Sequence, residues 1–288
     1  MDHGTHAQML RFDTPEAYQE QCLEWRRRGL SHVLVPTMGA LHEGHVLLIN
    51  TAREIAERVS VSIFLNPTQF GPDEDFEAYP RPLEADLEIC RDLKVDVVFA
   101  PDAALVYPDG FRTTVRVSGF GEGLCGRYRP GHFNGVTTIV SKLFNLALPT
   151  DAVFGWKDAQ QLIVLKRLVK DMNMSIVMHG VETVREPDGL ACSTRNVYLD
   201  PDGRVVAGLV YEGLSAARIA FAGGENRTAE LESIIRVGLE KSSLINIQYI
   251  ESCSMSTLER IRTVEPGNTL IATAVMIGEV RLIDNIRL

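Results

Sequence analysis

The chain has 288 residues, 45% of them hydrophobic and 23% charged, and a formal net charge of -9. It is long enough for one large domain or two unequal ones, and its acidic balance excludes broad, charge-driven nucleic-acid binding, which needs a basic surface. The longest apolar candidate in the sequence, Thr137–Pro149, is interrupted by Ser141, Lys142 and Asn145; it falls short of the ~20 residues of a membrane span.

The start of the chain carries Asp2 and His3 and no apolar signal segment. A cytoplasmic protein without a membrane partner is the expectation. The residues ahead of the first recognisable strand, His3 and His6 among them, read as a frayed end. Five widely spaced cysteines (Cys22, Cys90, Cys125, Cys192, Cys253) form no CxxC pair and read as reduced thiols.

Up to about Val184, short β-branched runs alternate with helical patterns. Ser31–Val35, Val59–Leu65, Val95–Phe99, Ala152–Phe154 and Ser175–Met178 read as strands. His45–Arg58, Leu83–Leu93, Gly135–Leu146 and Asp158–Met172 read as helices. This alternation predicts an α/β fold: a doubly wound, Rossmann-like parallel-sheet domain over residues 1–185, with ligands beyond the carboxyl ends of its strands. After Arg185 the rhythm changes. Helical stretches Val205–Ala222 and Thr228–Lys241 precede strand-like runs Ile245–Glu251, Thr269–Ile277 and Glu279–Ile283. A smaller α+β domain over residues 186–288 is expected, with the joint in Glu186-Pro187-Asp188-Gly189.

The first segment with chemistry is Pro36-Thr37-Met38-Gly39, which ends a buried strand, followed by Leu41-His42-Glu43-Gly44-His45 and an apolar-periodic helix. His42 and His45 are three residues apart and share one face near the helix start. Unpaired backbone N–H groups and the positive helix end make this a phosphate site. Two imidazoles there can stabilise charge growing on a pyrophosphate leaving group, and Gly39 and Gly44 let the backbone approach a nucleotide closely. An arbitrary His-x-x-His would be incidental; the strand–turn–helix setting makes this one informative.

The segment resembles the HxGH signature of the nucleotidyltransferase superfamily, shared with class I aminoacyl-tRNA synthetases. Further segments narrow the resemblance: Phe64-Leu65-Asn66-Pro67-Thr68-Gln69-Phe70, Asp75-Phe76-Glu77-Ala78-Tyr79-Pro80-Arg81, Arg129-Pro130-Gly131-His132-Phe133-Asn134-Gly135-Val136, Phe154-Gly155-Trp156-Lys157-Asp158-Ala159-Gln160-Gln161 and Arg185–Asn196. In this order, and with the closing Arg281-Leu282-Ile283-Asp284-Asn285, they resemble the pantothenate synthetase (pantoate–β-alanine ligase) family over nearly the whole chain.

The resemblance implies a two-step reaction. The pantoate carboxylate attacks the α-phosphate of ATP, and the amine of β-alanine then attacks the resulting pantoyl adenylate, releasing AMP. It implies that Pro36, Thr37, Met38, Gly39, His42, His45, Gly155, Lys157 and Asp158 bind ATP, with Lys157 near the phosphates and Asp158 at the ribose. Ser193, Thr194 and Arg195, in place of a KMSKS-like loop, wrap the β- and γ-phosphates. Gln69 and Gln161 bind pantoate, with Asn66, Tyr79, Arg129 and His132 around that pocket. Mg2+ is expected to accompany ATP, with Asp86 the one candidate ligand; the plain alternative for Asp86 is a solvent-facing helix residue. A homodimer through the larger domain and a lid-like second domain complete what the resemblance implies.

The sequence departs from the family pattern at Ala85, where a second acid is usual, at Trp156, which could reshape the nucleotide edge, and at Cys192, Thr194 and Ser254. Two alternatives stand beside the ligase: a nucleotidyltransferase that keeps the nucleotide in its product, and a non-catalytic nucleotide-binding descendant.

Overall fold

The computed structural model describes residues 8–72 and 74–288. Two compact units emerge. Among the described residues, one comprises residues 8–116, 131–155 and 165–181, the other 117–130, 156–164 and 182–288. The division falls near the expected joint, but two earlier stretches belong with the second unit, and one of them holds Lys157 and Gln161.

The first unit is a six-stranded parallel sheet, ordered β1-β4-β3-β2-β5-β6. Its strands are β1 (Leu10–Phe12), β2 (His32–Thr37), β3 (Arg58–Ile63), β4 (Val97–Phe99), β5 (Asp151–Gly155) and β6 (Val177–Val181). The chain builds outward from β2 in one direction through β3 and β4, then in the other through β5 and β6. That reversal is the switch point of a doubly wound sheet. Helices cover both faces. α2 (Glu43–Ile55) and α3 (Leu83–Asp92) place Leu48, Ile49, Ala52, Leu87 and Cys90 on Val33, Val35, Val59, Val61 and Val98. On the opposite face lies α1 (Pro15–Arg27), whose Tyr18 stacks on Phe99 with ring centroids 4.5 Å apart.

The N-terminal stretch read as frayed is therefore ordered from β1 onward; His3 and His6 lie outside the described residues. Thr14 caps α1 and Pro15 occupies its first turn. Tyr18, Cys22 and Trp25, at helical spacing, are buried. Each such side chain contributes about 1.5–3 kcal/mol when removed from water, more than enough to dock a 13-residue helix.

Beneath α1 runs a buried polar chain. The Tyr18 hydroxyl donates to Ser60 Oγ at 2.8 Å, and Ser60 Oγ donates to His32 Nε2 at 2.7 Å, because His32 Nδ1–H serves the Ala147 carbonyl at 3.2 Å. Burial lowers the His32 pKa to about 4, whereas in the unfolded chain it titrates near 6.5. Stability is thus fully present above about pH 6.5 and is lost as pH falls toward 4, by roughly 3 kcal/mol across the window. Urea midpoints at pH 7 and pH 5 should differ more in the native sequence than in His32→Gln; equal differences would refute this.

The connection after β4 carries α4 (Ala103–Val106), α5 (Cys125–Tyr128) and the long α6 (His132–Ala147), and α7 (Ala159–Asp171) follows β5. The second unit holds α8 (Pro201–Ala207), α9 (Leu209–Ala222) and α10 (Thr228–Leu239) with an antiparallel sheet of β7 (Ile245–Ser254), β8 (Thr269–Ile277) and β9 (Val280–Arg287). Among the described residues, Pro201–Ala222 is a helical stretch long and apolar enough by length and composition to cross a membrane, although Asp202, Arg204, Glu212 and Arg218 interrupt it as an apolar run. One face of it carries Val210, Leu214 and Ala217, which pack with Leu231, Ile235, Ile271 and Val275. That is the position of a core helix of the unit. The segment Glu186–Gly189, where the joint was expected, lies within the second unit. It is the turn of a small hairpin in the second unit, with Arg185 bridged to Ala191 and Gly189 N–H donating to the Glu186 carbonyl at 2.8 Å.

Candidate active site

The crevice at the switch point has a local cause. β2 pairs with β5 only at Val33–Asp151 and Leu34–Ala152, while its pairing with β3 continues to Thr37. Pro36, without an N–H, cannot extend a ladder on the β5 side. The carboxyl ends of β2 and β5 therefore part. Thr37 closes β2 by donating its hydroxyl to the Ser62 carbonyl at 2.8 Å and accepting from Gly39 N–H at 3.2 Å. Gly39 (φ 84°) and Ala40 (φ 51°) then turn the chain into α2.

His42 is the N-cap of α2 and His45 its third residue. Gly44 N–H donates to His42 Nδ1 at 3.1 Å, and His42 N–H donates to His45 Nδ1 at 3.2 Å. This is a capping box built from two imidazoles in place of the usual Ser and Glu. Its chemistry is specific: a nitrogen accepting from a backbone N–H carries no proton, so the neutral ring holds its hydrogen on Nε2. The two rings lie 4.1 Å apart by centroid, a pair of Nε2–H donors at the positive end of a 13-residue helix.

Asp86 is neither solvent-facing nor a fitting metal ligand. It is 2% exposed, and its oxygens accept from Ala40 N–H at 2.8 Å and Leu41 N–H at 2.7 Å. A Cβ on Gly39 would lie 3.0 Å from Asp86 Oδ2. Burial raises its pKa, against the pull of the two N–H donors. The carboxylate thus anchors the turn that presents His42. Among the described residues, no group of three or more His, Cys, Asp or Glu is placed to hold a metal.

Gln69 closes the 3-10 turn Pro67–Gln69, which lies against the start of α6. Its side-chain oxygen accepts from Asn66 Nδ2 at 3.0 Å, its Nε2 faces Met38 Sδ at 2.9 Å, and its carbonyl accepts from His132 Nδ1 at 2.8 Å. Asn66, 1% exposed, also donates to the Gly135 carbonyl at 3.2 Å, and its Oδ1 accepts from Thr68 Oγ1 at 2.9 Å and the Tyr107 hydroxyl at 2.8 Å. Asn66 and His132 therefore shape the surroundings of Gln69 from within the protein. Tyr79 is buried against Phe70, part of an aromatic group with Phe76. Tyr107 was not legible as a site residue, since nothing in its local sequence signals the reach to Asn66.

In the second unit, Lys157 and Asp158 lie in a 3-10 turn directly after β5, with Lys157 Nζ 3.8 Å from Asp158 Oδ2. Trp156, suspected of altering the nucleotide edge, stacks its ring under Arg287 at 4.2 Å. The adjacent glutamines divide their work. Gln160 is buried; it donates to the carbonyls of Phe120 (3.1 Å) and Gly123 (2.9 Å) and accepts from Cys125 N–H (3.0 Å). It fixes the loop that leads through α5 to Arg129. Gln161 is half-buried, the better placed of the two to meet a substrate. Ser193 caps the 3-10 helix Thr194–Tyr198, its hydroxyl accepting from Arg195 N–H at 3.3 Å. Asn196 ties that turn to Glu186 Oε1 at 2.8 Å.

A family model described as pantoate-beta-alanine ligase matches residues 11–287. The chain belongs to that family. As a member it is an enzyme that joins pantoate to β-alanine at the expense of ATP. It is 45% identical to the pantothenate synthetase of Syntrophotalea carbinolica, over 93% of this chain and 94% of that one. The crystal structure of pantothenate synthetase from Thermus thermophilus superposes with a TM-score of 0.91 at 38% identity, covering 97% of this chain and 99% of the other. A pantoate-beta-alanine ligase from Francisella tularensis, complexed with beta-gamma ATP and β-alanine, gives a TM-score of 0.79 at 33% identity and covers 97% of each chain. The doubly wound sheet with a smaller α+β unit is the fold of the family.

Proposed function

We infer that this ligase works through a pantoyl adenylate, with the imidazole capping box as the observation that carries the reading. A pantoate carboxylate oxygen attacks the α-phosphorus of ATP, and the bond to the pyrophosphate oxygen breaks. His42 and His45 donate Nε2–H to the phosphate oxygens on which negative charge gathers. Lys157 adds a compact cation there, Gly155 and Met38–Gly39 line the nucleotide's path, and Asp158 takes the ribose hydroxyls. Ser193, Thr194 and Arg195 hold the outer phosphates. In the second step the β-alanine amine attacks the activated carbonyl, AMP leaves, and the amine's proton passes to solvent.

Gln69 and Gln161 bind pantoate through paired amide donors and acceptors, with Arg129 completing the polar lining. Mg2+, when bound with ATP, would neutralise phosphate charge; Asp86, which accepts from Ala40 and Leu41 N–H, does not fit as its ligand. The proposal extends to a lid role for residues 186–288, closing over ATP and excluding water, and to a cytoplasmic homodimer formed through the larger domain.

The deciding experiment is pantoate-dependent exchange of labelled pyrophosphate into ATP without β-alanine, followed by addition of the amine. Exchange, then amine-dependent AMP and pantothenate release, is the expected result. Product formed with no exchange under any condition would overturn the adenylate route, and a product retaining the nucleotide would favour a nucleotidyltransferase.

A further inference from the structure

We propose that the adjacent residues Asp284 and Asn285 of β9 are positioning residues, holding Lys157 on one face of the strand and the hairpin that leads to Ser193–Arg195 on the other. Successive side chains of a strand point to opposite faces, and here both are buried. Asn285 Nδ2 donates to the backbone carbonyls of Trp156 (2.8 Å) and Lys157 (3.1 Å). With both amide hydrogens engaged, the turn carrying Lys157 is clamped at its backbone, while the Lys157 side chain is left for the phosphates. Asp284 receives both terminal nitrogens of Arg185, at 2.6 and 2.9 Å. Arg185 also donates to the Gly189 carbonyl at 3.0 Å, closing the hairpin from its base. Asp284 Oδ1 accepts from Asn285 N–H at 2.8 Å, so the two brackets share one rigid dipeptide. All these groups lie in the second unit.

The fork–fork geometry of Arg185 and Asp284 is the directional form of an ion pair. A guanidinium bound in this way fixes orientation as well as distance. Misplacing a catalytic group by about 1 Å can cost ~100-fold in rate, which is the scale on which the Asn285 clamp acts.

The inference rests on the role given to Lys157, and a double-mutant cycle separates the two. Asn285→Ala should lower the pyrophosphate-exchange rate roughly 10–100-fold in the native background and less than about 2-fold in a Lys157→Ala background, because its effect passes through that lysine. Equal losses in both backgrounds, or none in the native one, would overturn the clamp. Exchange unaffected by Lys157→Ala would instead sink the role of Lys157, and the clamp is then read from Trp156. With Trp25→Phe in place, Trp156 is the sole tryptophan, and Asn285→Ala should lower its fluorescence anisotropy; unchanged anisotropy overturns the clamp. Should Asn285→Ala fail to fold, Asn285→Ser, which keeps one short donor, is carried through the same cycle with the same criteria.

Discussion

Replacing His45 with alanine is expected to reduce pantoate-dependent pyrophosphate exchange by roughly 100- to 1,000-fold, the usual loss when one donor to a developing oxyanion is removed. Two effects combine in that variant. The Nε2–H donor disappears, and the His42 N–H loses the Nδ1 acceptor that caps it. The second loss costs about 1 kcal/mol, the ordinary value of an N-terminal cap. Glutamine separates them, since Gln at the third helical position is a standard capping-box acceptor. His45→Gln should therefore restore the thermal midpoint while leaving exchange near the alanine level. A glutamine variant with the native rate would show that His45 only caps α2.

Gly135→Ala should be the most damaging single-methyl change near Gln69 and the pocket proposed for pantoate. An added Cβ would meet the Thr68 carbonyl and approach the Gln69 Cα to 2.7 Å. Both contacts are backbone, so no side chain can swing aside. The turn must move or α6 must lift, at a cost of about 3 kcal/mol for overpacking of this kind. Movement of the turn displaces Gln69, so the KM for pantoate should rise about 10-fold or more, with that for ATP little changed. Gly131→Ala is the control. Its φ of 83° penalises any side chain, yet nothing lies within 4 Å of its Cβ, so it should cost roughly 1–2 kcal/mol with pantoate binding intact. A native pantoate KM in Gly135→Ala would refute the close-approach argument.

The parallel sheet was legible because its strands, buried on both faces, read as β-branched runs such as Val33-Leu34-Val35. β8 was bounded correctly for a related reason: a turn glycine, Gly278, sits just past its end. β1 escaped because it has three residues, two of them exposed. α1 did carry a readable signal, Thr14-Pro15 ahead of Tyr18, Cys22 and Trp25 at helical spacing. The histidine pair was visible as a motif, whereas its capping geometry depends on ring orientation. Asp86 shows the limit most clearly. Its function is to accept from Ala40 and Leu41, more than forty residues earlier in the chain, and no local pattern encodes that partnership. The roles of Gln160 and Asn285 within their motifs were hidden for the same reason. Their amides serve backbone groups far away in sequence.

β8 and β9 are joined by a two-residue turn at Gly278–Glu279, with Gly278 at φ 56°. That turn sets which residue of β9 stands opposite Thr273 and which opposite Ala272. A slip of one residue would exchange the faces of Asp284 and Asn285, presenting a carboxylate to two carbonyls and an amide to a guanidinium. An insertion or deletion in this exposed loop, ordinarily the most permissive kind of change, would therefore mispair a carboxylate and an amide at the far end of the strand.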